Sequence, residues 1–232
     1  MKFLKILSNL LILSGIIYFA VIFYPIYSAE ARYYLKRLST INNQQLTIDD
    51  ESVLGKTAIR EIPQPDTPFA NLLQEGPPIA LEPVNYEGAI LVPEIDVNAP
   101  IVWDVPVTDK NDYMQALNQG VAHAKGTPKP STNPGNTYLF SHSTANVRNI
   151  ARYAAVFTLL HHLQKDDRII IFYQQKRYDY LVEENEVISS FDTTPLLREV
   201  DKPILTLQTC DPPGVPKNRR IVTAKLVGVY EK

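Results

Sequence analysis

Hydrophobic and polar positions divide the chain into three stretches of different texture. From Ile6 to Ala29 no residue is charged, and the flanks are basic: Lys2 and Lys5 before, Arg32, Lys36 and Arg37 after. A helix needs about 20 apolar residues to span a bilayer, and this run is longer. A cleaved leader has a shorter apolar core and a small-residue cleavage site; only Ser28–Ala31 offers one here. The pattern predicts an uncleaved anchor within residues 1–30. With both flanks basic, charge alone leaves its orientation open. Residues 31–83 read as a linker. The polar stretch 30–45 continues as a helix, then periodicity disappears and six prolines fall between Glu61 and Pro83. Such a segment is a semi-rigid, extended stalk.

From Val84 onward short apolar runs alternate with turn residues, which predicts strands. "GAILVPEIDVNAPIVWDV" holds two, with Pro93 and Pro100 limiting regular pairing. "NTYLFSH" follows a turn in "STNPGN", and "DRIIIFYQQKRYDYLVEENEVIS" reads as a hairpin about "QQK". "PILTLQTC" and "RRIVTAKLVGVY" are two more strands, joined across Asp211–Asn218. One helix is predicted around "IARYAAVFTLLHHL". Many short strands at this spacing imply a closed or sandwich-like β domain over residues 84–232.

Composition narrows the chemistry. A net charge of −2 over 232 residues gives no electrostatic footprint for nucleic acid. The single cysteine excludes an intramolecular disulfide and a cysteine-based zinc cage. That cysteine, Cys210, stands at a strand end and is followed by the turn residues Pro212, Pro213 and Gly214. Unpaired thiols outside the cytosol are uncommon, so a domain held outside by the anchor would keep this one for chemistry.

A thiol is mostly protonated near neutrality and needs a base or a nearby cation to act as a nucleophile. Four histidines are available. His161 and His162 adjoin in the predicted helix and diverge around it, which suits surface positions. His123, in "GVAHAKG", lies near a turn and is a candidate groove residue. His142, in "YLFSHST", ends a strand and opens a polar loop, where side chains leave the sheet for substrate. If the segments flanking Asp211–Asn218 are neighbouring strands, Arg219 and Arg220 start the second beside the end of the first. Alternation lets only one of them share the face of Cys210.

Together these residues resemble the sortases, membrane-anchored cysteine transpeptidases of bacterial cell surfaces. The family signature Thr-Leu-x-Thr-Cys is matched by Thr206, Leu207, Thr209 and Cys210, its histidine by His142 and its arginine by Arg219, with Arg220 as the alternative. "GVAHAKGTPKPSTNPGNTYLFSH" resembles the family's approach to its histidine, "LVPEIDVNAPIV" its first core strands, and "FTLLHHLQKDDRIIIFY" its helix-turn-strand. The likeness covers about Gly88–Tyr230. Ser141 stands where members commonly carry glycine, and "TCDPPG" is most similar to class D/E/F-like subgroups rather than the housekeeping and pilin classes.

The resemblance implies an eight-stranded β-barrel with short helices. It implies thioester chemistry at Cys210 on a C-terminal Leu-Pro-x-Thr-Gly-like sorting signal, with His142 moving the proton and Arg219 holding the oxyanion. Thr209, Ser141 and His123 are the expected substrate contacts. The implied partners are surface proteins carrying that signal and an amine from a cell-wall precursor or a pilin-type subunit. The implied location is the cell membrane, single-pass, N-terminus inside and catalytic domain outside. No cofactor is expected: Glu183, Glu184 and Glu186 suit a solvated hairpin edge better than a calcium site. The rival readings are a cysteine peptidase, and a non-catalytic anchored domain or envelope sensor in which Cys210 is a buried apolar residue.

Overall fold

The computed structural model describes residues 2–48, 81–143 and 156–231. Most of the proline-rich stalk and the first part of the helix expected from Ile150 lie outside these residues. The described chain begins with α1 (Lys2–Ile48). There follow β1 (Gly88–Val92), β2 (Val97–Val105), α2 (Lys110–Gln119), β3 (Val121–Ala124) and β4 (Gly135–Phe140). A 3-10 turn at Leu160–His162 leads into β5 (Arg168–Tyr173), β6 (Lys176–Ser189), α3 (Thr194–Leu197), β7 (Pro203–Asp211) and β8 (Asn218–Glu231).

The eight strands close into a barrel in the order β1-β2-β3-β4-β7-β8-β6-β5. Two contacts are parallel, β2 with β3 and β4 with β7; the other pairs are antiparallel. Closure leaves no free sheet edge. The interior is filled by Ile90, Leu139, Ile169, Ile171, Leu205, Leu207, Val222 and Ala224. These positions alternate along their strands, as the two-residue side-chain period requires. β5 is buried on both faces, because Ile170 and Phe172 pack outside the barrel against Ala89 and Leu91. That explains its unbroken apolar run "RIIIFY".

Three local features depart from the sequence reading. Residues 156–162 form turns and 3-10 structure rather than an α-helix. Phe157, Thr158, Leu159 and Leu160 are all buried, so this part of the segment has no polar face for solvent, and only His161 and His162 beyond it are partly exposed. It plugs the barrel instead of lying on it. Second, α2 forms over residues where no helix was expected. Asp109 caps it by accepting from the Asn111 and Asp112 N–H groups, and Ala116 and Leu117 pack on Val105 and Ala122. Gly120 follows as its C-cap, its N–H donating to the Ala116 carbonyl, and a Cβ there would collide with the Pro100 carbonyl oxygen. Third, residues 121–124 of "GVAHAKG" pair as a strand with β2 and β4.

The uncharged run forms the first part of α1. Among the described residues no single helix is long and apolar enough to cross a membrane. The segments Ile6–Val21 and Ile26–Ser39, bent by 52°, meet the length and composition requirement together. The later part of α1 docks on the barrel. Ala29 and Tyr33 pack against the core cluster, and the Lys36 ammonium donates to the Pro93 carbonyl at 2.8 Å.

Candidate active site

The site is built where β4, β7 and β8 end side by side. Phe140 of β4 lies opposite Gln208 of β7. The pairing continues past β4: the Ser141 N–H donates to the Gln208 carbonyl at 3.1 Å, and Thr209 Oγ1 donates to the Ser141 carbonyl at 2.9 Å. One residue further along each segment stand His142 and Cys210. On its other side Cys210 is the cross-strand partner of Arg219. Histidine, thiol and guanidinium therefore come from a row of three neighbouring segments, the chain just past β4 and the ends of β7 and β8.

Alternation decides which way each side chain faces. Leu205, Leu207 and Thr209 point inward with Leu139, Val222 and Arg220; Gln208 and Cys210 point outward with Phe140 and Ile221. Arg219 falls on the outward position beside Cys210. Arg219 Nη1 lies 3.8 Å from Cys210 Sγ and also donates to the Asn218 carbonyl at 3.1 Å. Arg220, one residue on, faces the other way. Its Nε and Nη2 meet Asp211 Oδ2 at 2.8 and 2.7 Å, and its Nη1 donates to Asn185 Oδ1 at 3.0 Å. The thiol is free and half-buried.

Loops fix this row. The His142 carbonyl accepts from the Phe157 N–H at 3.2 Å. The Ser143 carbonyl accepts from Thr158 Oγ1 at 2.7 Å, and Ser143 Oγ accepts from the Gly214 N–H at 3.0 Å. The last bond ties the histidine loop to the β7–β8 loop. Gly214 sits at φ +81°, a left-handed conformation that explains glycine after Pro-Pro. Burial pushes His142 below the ordinary imidazole value of 6.5, since desolvation opposes the charged ring.

Behind the row, the outward face of β4 and β7 carries a polar network. Tyr138 OH donates to Gln208 Oε1 at 2.6 Å, and Thr206 Oγ1 donates to Asn136 Oδ1 at 2.7 Å. Asn136 Nδ2 reaches the Pro195 carbonyl of α3 at 2.8 Å, while Arg198 Nη2 donates to Thr206 and Thr223. The β6–β7 connection thus covers the outer sheet over Asn136, Thr206 and Thr223. Burial raises the Tyr138 phenol, which stays neutral and donates. Sequence reading missed this network. Its signal was the polar side chains at alternate positions of two strands whose other positions are apolar.

Three expected substrate contacts lie elsewhere. His123 is fully buried: its Nδ1 accepts from the Asp104 N–H at 3.3 Å, and its Nε2 faces Thr127 Oγ1 and the Pro128 carbonyl at 3.0 and 3.3 Å. These partners place the ring proton on Nε2. His123 therefore pins the β3–β4 connection and faces no groove. Thr209 points into the barrel, and its hydroxyl is used on Ser141. Ser141 itself is buried, and among the described residues its Oγ has no hydrogen-bond partner. Both belong to the backing of the row rather than its open side.

A closed eight-stranded barrel thus carries a free thiol and the Arg219 guanidinium side by side at the ends of β7 and β8. A Sortase domain family model matches residues 90–227, more than half of the chain. The chain belongs to the sortase family, whose members are cysteine transpeptidases and generally membrane-associated. It is similar to sortase C-1 from Actinomyces oris at 28% identity and a TM-score of 0.51, covering 62% of this chain and 76% of that one. Sortase C1 from Streptococcus suis gives 24% and 0.52, with coverage of 62% and 74%. The pilus-related sortase C of Group B Streptococcus gives 22% and 0.52, with 77% of each chain covered; these two show the shared fold. No curated protein sequence matches the chain.

Proposed function

We propose that the chain cleaves a C-terminal sorting signal of the Leu-Pro-x-Thr-Gly kind and passes the protein to an amine. The Cys210 sulfur, as thiolate, attacks the threonine carbonyl carbon. A C–S bond forms and the carbonyl electron pair moves onto oxygen. Arg219 donates to that oxyanion, and removing such a donor typically costs about 3–4 kcal/mol. Collapse breaks the Thr–Gly C–N bond, and His142, as imidazolium, gives its proton to the departing glycine amine. A thioester on Cys210 remains. The incoming amine loses a proton to His142, forms the new amide and expels the sulfur. No step calls on a cofactor.

The observation that carries this reading is the cross-strand pairing of Cys210 with Arg219, beside the strand end that bears His142. The partners are surface proteins carrying the signal, and an amine of a cell-wall precursor or a neighbouring pilin-type subunit. The N-terminal segment holds the enzyme at the membrane with its barrel outside, so enzyme and tethered substrate share one surface and a raised effective concentration. The peptidase reading uses the same groups and differs only in water resolving the thioester.

The test is intact-mass spectrometry of the full chain with a library of sorting-signal peptides. The expected result is an acyl adduct on Cys210, released as a new amide when a glycine-type amine is added. Release as free acid at the same rate with and without amine would favour the peptidase. No adduct with any member, from protein with a reactive thiol, would contradict the proposal.

A further inference from the structure

Away from the thiol, three metal-ligating side chains converge where α1 meets the barrel. Glu30 comes from α1, and His161 and His162 from the 3-10 turn at Leu160–His162. Glu30 Oε1 lies 3.0 Å from His161 Nε2, and Glu30 Oε2 lies 2.8 Å from His162 Nε2. The three ligand atoms all fall within 4.8 Å of one another, and all three side chains are partly buried. Ligand atoms around a tetrahedral zinc ion, bonded at about 2.0–2.1 Å, stand about 3.3 Å apart. The observed spacing needs only small side-chain shifts to reach that arrangement.

The histidine surroundings point the same way. His161 Nδ1 faces the Thr158 carbonyl at 3.2 Å while its Nε2 faces the Glu30 carboxylate. A neutral imidazole carries one N–H and cannot donate to both oxygens. With Nδ1–H donated to the Thr158 carbonyl, the Nε2 lone pair on the Glu30 side is left for a metal ion. A backbone carbonyl on the far nitrogen is the usual outer support of a metal-bound histidine. The second ring is also held in place: Tyr33 stacks on His162 with centroids 4.0 Å apart. Asn185 Nδ2 donates to the Leu160 and Leu163 carbonyls at 2.9 and 2.8 Å and braces the whole turn.

We infer that Glu30, His161 and His162 form a zinc-class metal site that clamps the anchor helix to the barrel. Two imidazoles and one carboxylate select zinc and its transition-metal neighbours over calcium or magnesium, which take oxygen ligands. Water completes the coordination. The site is separate from the chemistry, because none of its ligands lies in the row of Cys210. It nevertheless abuts that row: Thr158, which supports His161, also donates to the Ser143 carbonyl. Metal binding stabilises the docked state of α1 by mass action. This site stands whether or not the chain is a transpeptidase.

The experiment uses the untagged full chain in detergent micelles, carrying Cys210→Ala so that no thiol competes for metal. Zinc is titrated against a chromophoric chelator, and cobalt(II) is added separately for its visible spectrum. One equivalent of zinc is expected. Affinity should fall by at least about 100-fold in Glu30→Gln and in His161→Gln. Zinc should also raise the Tm of the parent and leave that of the variants unchanged. If a variant fails to fold by circular dichroism, the cobalt spectrum of the intact site still decides, since it must show tetrahedral coordination with imidazole nitrogen. Zinc below one equivalent, equal binding in folded variants, or a cobalt spectrum like that of the aqueous ion would overturn the inference.

Discussion

The two faces of the β7–β8 ribbon are both largely covered, yet they carry opposite chemistry. Inward, Leu205 and Leu207 meet Val222 and Ala224, and no hydrogen bond is needed. Outward, Thr206 and Gln208 enter a network with Asn136, Tyr138 and Arg198, roofed by α3. The inner face works by packing, which tolerates any apolar residue of suitable volume. The outer face works by pairing, where each buried polar atom must find its partner. At the strand ends the same split separates Arg219, beside the thiol, from Arg220, engaged with Asp211 and Asn185. One residue of register decides which arginine reaches the sulfur.

The comparison can be broken from either side. On the inner face, Leu207→Ala leaves a cavity and should cost about 2–5 kcal/mol, read as a lowered denaturation midpoint. On the outer face, Gln208→Ala strips the acceptor from Tyr138 OH and should cost about 1–2 kcal/mol. A larger loss from Gln208→Ala would mean that the network, and not the core, holds the ribbon.

A second test concerns pH. The folded protein holds His142 below 6.5, so its neutral form is favoured by folding. Protonation then favours the unfolded chain. The contribution is present in full above pH 6.5 and is lost as pH falls through the lowered value. His142→Gln should therefore lose less stability than the parent between pH 7 and pH 5, measured by urea unfolding. An equal loss in both would show that His142 carries no such depression.

The smallest expected effect lies far from the site. Gln174 and Gln175 turn the β5–β6 hairpin with φ of 51° and 62°. Such left-handed positions favour Asn-Gly. The double change Gln174→Asn, Gln175→Gly should raise stability by about 1 kcal/mol and leave turnover unchanged. A lowered Tm would mean that the Gln175 side chain's bond to Glu87 matters more than backbone strain.

Most of the barrel was legible because its strands alternate or run apolar between turn residues. What stayed hidden had a reason in each case. α2 was missed because its apolar face is narrow, although Asp109 and Gly120 bracket it as caps do. The segment through Phe157 and Leu160 imitates a helix by composition, yet its burial on every side made it a plug. His123 and His142 both stood beside turn or loop residues, where a side chain can face a groove. Only long-range pairing separates them, since β3 ends inside the structure and β4 ends beside Cys210. The pairing of Glu30 with His161 and His162 spans more than half the chain, and no local pattern announces it.

Turnover is expected to depend on the outward face at the end of β7–β8. The most direct test compares Arg219→Ala with Arg220→Ala in transfer of a sorting-signal peptide, each checked for folding. The prediction is that kcat/KM falls by about 100- to 1,000-fold for Arg219→Ala. For Arg220→Ala it should fall less than about tenfold, with the effect appearing mainly as lost stability from the broken Asp211 pair. The opposite order, with Arg219→Ala active and Arg220→Ala dead but folded, would contradict it.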